Sequence, residues 1–130
     1  MDELKFLQIN INKCEAAQAN LIVEHSKYKR FVFLIQTTHF YGLKPTSIDE
    51  RFTQVLYGAG AKKSWPRAMI IASKGLKIFM IEALSSRNIT CINLHNSNEE
   101  LIICSAYQDI TFPELINKCV EHCKTCNKQI

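Results

Sequence analysis

The chain has 130 residues, 47% of them apolar and 22% charged. That balance describes a globular domain or a piece of one, and excludes a disordered or fibrous chain. The net charge of +4 suits contact with polyanions without demanding it, and no apolar run reaches the ~20 residues of a membrane span.

The opening Met1-Asp2-Glu3-Leu4-Lys5 is acidic and has no secretory pattern. The expected location is intracellular, nuclear or cytoplasmic, with the six cysteines reduced and read as buried thiols. Residues 5–11, KFLQINI, alternate as a strand does. Asn12, with Glu15 three positions on, has the pattern of a helix start, and the helix is expected to reach about Lys29. Cys14, Ala17, Leu21 and Tyr28 form its apolar stripe, leaving Glu15, Gln18 and Glu24 for water. Residues 31–36, FVFLIQ, read as a strand buried on both faces. Strand, helix and strand make a βαβ-like opening.

Residues 38–66 hold Gly42, Gly58, Gly60, Pro45 and Pro66 and read as a long irregular loop, with one short strand near Thr53 to Tyr57. From Arg67 four strand-like runs follow: RAMIIAS, LKIFMIEAL, ITCINLH and ELIICSAY. Turn signals at Ser73-Lys74-Gly75, Ser85 to Asn88 and Asn96 to Asn98 predict an antiparallel meander of all four. Thr111-Phe112-Pro113-Glu114 opens a second helix that runs to about Thr125, and Cys126 to Ile130 begins a further strand.

Two clusters invite a chemical reading. Cys119, His122, Cys123 and Cys126 are spaced so that one helix could offer soft ligands to zinc. Leu115, Cys119 and Cys123 also continue that helix's apolar stripe, and structural zinc sites draw ligands from separate elements, so core packing is the favoured reading and no metal site is assigned. The basic groups Lys27 to Arg30, Lys62-Lys63 with Trp65 and Arg67, and Lys124 to Lys128 are read first as solvated ends and loops. Lys62, Lys63, Trp65 and Arg67 are the best candidates for a nucleic-acid-binding rim. His39 and His95 follow strand ends and His25 lies on the first helix, but none has a catalytic partner in sequence. No nucleophile elbow, phosphate loop or dinucleotide fingerprint is present.

One resemblance runs along the whole chain. FLQININKCEAAQ, FVFLIQTTH, WPRAMIIAS, SSRNITCINL and LIICSAYQD occur in that order. Together they resemble the N-terminal half of the endonuclease domain of non-LTR retrotransposons, in the endonuclease/exonuclease/phosphatase superfamily that includes apurinic endonucleases. The resemblance implies an α/β fold: half of a four-layer α/β-sandwich, with a mixed or antiparallel sheet and two helices. It makes residues 1–130 a partial domain whose C-terminal half is absent. An apolar sheet face would then be left open, to be covered by that half or by a dimer partner.

The resemblance also implies a mechanism, magnesium-assisted cleavage of a phosphodiester by a polarised water. Asn10 matches the family's orienting Asn, and Tyr107 the Tyr that supports the substrate phosphate. The family's buried second strand ends in Gln-Glu, where the Glu binds the metal; here Gln36 matches but Thr37 replaces the Glu. Asn88 stands where an acidic residue often follows the Arg. The family's remaining catalytic groups, an Asp-x-Asn motif and a terminal Asp-His pair, lie in the half that this chain does not resemble. The expected function is therefore a truncated, inactive remnant of a target-DNA endonuclease, with DNA as the partner by resemblance and no cofactor in this chain. The rivals are a small nucleic-acid or protein interaction module, and a nuclease or phosphatase half completed by another chain.

Overall fold

The computed structural model describes residues 4–25, 29–37, 40–41, 44–45, 51, 53–57, 66–86, 88–96, 99–107, 114 and 117–122. Strand β1 (Lys5–Asn10) leads to helix α1 (Glu15–His25) and then to β2 (Phe31–Gln36). Two short strands, β3 (Phe40–Tyr41) and β4 (Lys44–Pro45), pair with each other inside the stretch expected to be loop. After them come β5 (Thr53–Leu56), β6 (Ala68–Ser73) and β7 (Lys77–Met80). A 3-10 turn at Glu82–Leu84 precedes β8 (Ile89–Asn96) and β9 (Glu99–Ala106). Residues 117–122 are helical again.

Besides the β3–β4 pair, the strands form two sheets packed face to face. The first has the order β1-β2-β6-β5, with β1 parallel to β2 and the rest antiparallel. The second has the order β7-β8-β9, antiparallel throughout. The four-strand meander expected from Arg67 onward therefore divides. Strand β6 joins the first sheet between β2 and β5, and Lys74-Gly75 turns the chain across to the second. A fully buried β6 explains the choice: all six of its residues need cover on both faces, which only a central position gives.

Three apolar clusters mark three interfaces, and so four layers. Leu21 of α1, with Ala17 partly buried beside it, packs on Phe31, Phe33, Ile35, Met69 and Ile71 on one face of the first sheet. Val32, Ile70 and Ala72 on the other face meet Ile78, Ile92 and Leu94 of the second. Beyond that, Ile89, Cys91 and Ile102 meet Cys119 of the C-terminal helical segment. The α/β-sandwich is as expected, but it is not one sheet with a bare apolar face. The meander's last three strands cover the inner face of the first sheet.

Local departures have local causes. Helix α1 begins at Glu15, not at Asn12: Asn12 and Lys13 take left-handed backbone angles, φ 54° and 56°, and Cys14 offers the first helical carbonyl, to the amide of Gln18. Cys14 is exposed and Gln18 fully buried, the reverse of the expected stripe. Cys91 and Cys104 are partners in register on β8 and β9 and are joined as a disulfide, with Cα atoms 4.2 Å apart, so the reading of all six cysteines as thiols does not hold. Cys119 is buried, its Sγ 4.0 Å from that of Cys104. Among the described residues no group of His, Cys, Asp or Glu is arranged to hold a metal ion, while Cys123 and Cys126 lie outside the described residues. Among the described residues, too, no helix is long and apolar enough to cross a membrane.

Candidate functional site

The site is built from strand ends. Strands β1 and β2 run side by side, so Asn10 lies opposite Gln36 at their carboxyl ends. Strand β6 runs the other way, so its start, not its end, lies here: Ala68 pairs with Gln36. From the second sheet, Thr90 Oγ1 donates to the Ala68 carbonyl (2.8 Å), and Thr90 is the register partner of Ser105. The Gln36 amide donates to Ser105 Oγ (2.9 Å), which donates to the Ile35 carbonyl (3.2 Å). This buried relay fixes β9 over β2 and brings Tyr107, the residue after β9, to the same end of the sandwich.

Thr37 is the hinge of this rim. Its N–H donates to the Arg67 carbonyl (2.8 Å), and its own carbonyl accepts the N–H of Lys13 (2.7 Å). The Arg67 guanidinium sits 4.9 Å from the centroid of the Tyr107 ring, a cation–π stack. The Tyr107 N–H donates to the Asn88 carbonyl (2.8 Å), and the amide oxygen of Asn88 is buried without a hydrogen-bond partner. Asn10 Oδ1 accepts the N–H of Asn12 (2.9 Å), closing the turn that carries Lys13. Asn10, Thr37, Arg67, Asn88 and Tyr107 are thus joined link by link at one end of the molecule. Lys62, Lys63 and Trp65 lie outside the described residues, as does His39. His95 lies toward the opposite end, with its Nδ1 3.2 Å from Glu100 Oε1. His122 is half-buried on the C-terminal helical segment, and its Nε2 has no hydrogen-bond partner.

Two members of this constellation were not singled out from sequence. Ser105 carries the tie between the sheets, and only its place in CSAY, two residues before Tyr107, pointed to it. Lys13, in a left-handed turn, ties the end of β1 to Thr37 through its backbone N–H.

Thr37 also has a positive φ, 55°. A β-branched residue rarely takes this conformation, and such strain costs on the order of 1–3 kcal/mol and gathers at functional sites. Thr37→Gly removes it. After the entropy that glycine adds to the unfolded chain, a net gain of about 0.5–1 kcal/mol is expected in urea unfolding. A loss instead would show that the threonine side chain holds the turn.

The chemistry of the rim follows from its donors. Arg67 and Lys13 carry positive charge, and side-chain amides and a phenol can hydrogen-bond phosphate oxygens. A magnesium ion requires one or two carboxylates beside its waters. None of Asn10, Thr37, Arg67, Asn88 or Tyr107 is a carboxylate, so these residues do not fit the metal, and no cleavage step is derived through it.

No family model matches the sequence, and no curated protein does. Solved structures do match the fold. One is the endonuclease domain of TRAS1, a telomere-specific non-LTR retrotransposon, with a TM-score of 0.67 over 93% of this chain at 18% identity. The chain spans about half of that domain, 52% of its length. The chain therefore adopts about half of the fold of that domain, as the resemblance implied.

Proposed function

We propose that this chain is a remnant of a metal-dependent DNA endonuclease, catalytically silent by itself, that keeps a phosphate-facing rim. The observation that carries this reading is Thr37: the end of β2, where the family has its metal-binding Glu, holds a neutral hydroxyl within an otherwise coherent rim. Arg67, stacked on Tyr107, is the main anionic-ligand contact, with Asn10, Asn88 and Lys13 around it. DNA is the partner, and the family's other carboxylates lie in the half of the domain that this sequence does not resemble.

Plasmid nicking tests it. With magnesium or manganese the chain should leave supercoiled DNA intact, and Thr37→Glu alone should not restore cleavage. Nicking that vanishes in Asn10→Ala would overturn the reading in favour of an enzyme. A second reading, a binding module on the same scaffold, draws on the Arg67–Tyr107 stack. It predicts salt-dependent DNA binding without cleavage, weakened several-fold by Arg67→Ala at low salt.

A further inference from the structure

Both faces of β9 carry a tie to a neighbouring layer. Ser105 points inward and closes the relay to Gln36. Cys104, one residue earlier, points the other way, as alternation along a strand requires. It is joined by the disulfide to Cys91, its register partner on β8. A third sulfur lies against this pair: Cys119 of the C-terminal helical segment places its Sγ 4.0 Å from the Cys104 Sγ. A disulfide sulfur carries no proton, so the Cys119 S–H is the donor in this contact.

The three sulfurs differ in access. Cys91 is fully buried and Cys119 is 3% exposed, whereas Cys104 is half-buried. Cys119 packs among Ile89, Cys91 and Ile102, with Leu84, Cys104 and Ala106 beside it. Small thiols and disulfides from solution therefore reach Cys104 before either of the others. Cys119 needs no diffusion to react there, because the fold already holds it beside the disulfide.

We propose that Cys91, Cys104 and Cys119 form a thiol–disulfide exchange site that moves one covalent link between two layers of the fold. The Cys119 thiol loses its proton, and its sulfur attacks Cys104 Sγ. The Cys104–Cys119 bond forms as the Cys91–Cys104 bond breaks, and the Cys91 sulfur leaves with the bonding pair and takes up a proton. One disulfide and one thiol stand on each side, so no oxidant or reductant is consumed. The attacking sulfur closes from 4.0 Å to a bond of about 2.05 Å.

The exchange changes what the link holds. Before it, the bond joins β8 to β9, which the ladder of the second sheet already holds together. After it, the C-terminal segment is fastened to β9, and the stretch from Cys104 to Cys119, a separation of 15 residues, closes into a loop. Ser105 and Tyr107 open that loop, so the chain that leaves the rim is tethered at both ends. The inference rests on the sulfur geometry and not on the endonuclease reading.

Peptide mapping of the full chain without reductant tests it. Cleavage after Glu99, Glu100, Glu114 and Glu121 leaves Cys91, Cys104 and Cys119 on separate peptides. The chain is held at about pH 8, where thiolate is populated, its thiols are alkylated with N-ethylmaleimide, and linked peptides are identified by mass. Two linkages are expected, Cys91–Cys104 and Cys104–Cys119. Cys119→Ser should keep only the first. Cys91→Ser treated with glutathione disulfide should carry Cys104–Cys119, because the Cys119 thiol displaces glutathione from Cys104. In that variant oxidation should slow amide exchange in residues 117–122 at least tenfold, since the tether opposes local opening. Wild-type chain with Cys91–Cys104 alone overturns the proposal. So does a Cys91–Cys119 link, glutathione retained on Cys104 in Cys91→Ser, or amide exchange unchanged by oxidation of that variant.

Discussion

Phe33→Ala should lower unfolding free energy by about 3–5 kcal/mol, the range for removing a buried aromatic side chain. Phe33 is 1% exposed on β2, beneath α1, with its ring 4.7 Å from that of Phe31. It belongs to the cluster that joins α1 to the first sheet, where Leu21, Ile35, Met69 and Ile71 also converge. Alanine leaves a cavity that the sheet cannot close, because β2 is held between β1 and β6 along its whole length. Domains of this size are stable by only about 5–15 kcal/mol, so this single truncation removes a large share of the total. Urea unfolding checks it. A cost under ~1 kcal/mol would mean that the helix does not seat on this face.

Asn93→Leu should act in the opposite direction. Asn93 is 2% exposed on the outer face of the second sheet, and neither atom of its amide head has a hydrogen-bond partner. An unsatisfied buried polar group costs about 1–3 kcal/mol, and a leucine of similar volume avoids that cost. The register partner Ile102 is apolar and buried in the cluster that receives Cys119, so the surroundings suit a hydrocarbon. Thermal unfolding should move upward by several degrees. A destabilised variant would show that the amide has a partner of its own.

Much of the architecture was legible because strands announce themselves by composition. Runs such as AMIIAS and FVFLIQ read as buried strands, and β1, β2 and β5 to β9 fall where the expected runs lie. Their division between two sheets was not legible. Ser73-Lys74-Gly75 has the residues of a hairpin turn, and nothing local distinguishes a turn within a sheet from one that crosses to another. Gln18 was assigned to water because it is polar, whereas the helix face is set by Ala17 and Leu21 on either side of it. The Cys91–Cys104 pairing depends on register, which a single sequence leaves open. At the site, the meeting of Asn10, Thr37 and Tyr107 at one end was readable from strand direction, since each closes or follows a strand. The stack of Arg67 on Tyr107 was not, because it joins residues forty positions apart through side-chain geometry.

The place of β6 sets a timetable for synthesis. By residue 57 the emerging chain holds β1, β2 and β5, three of the four strands of its first sheet, yet within that sheet only β1 and β2 can pair. Strand β5 has no neighbour in the sheet until Ala68–Ser73 arrives to lie between it and β2. One apolar edge of β2 must therefore wait, bare, through some thirty further residues of translation. The second sheet needs no such delay, since β7, β8 and β9 close as successive hairpins. The nascent chain is thus most open to aggregation and to chaperones in the interval before β6 is made, and a stall there is more hazardous than one anywhere later.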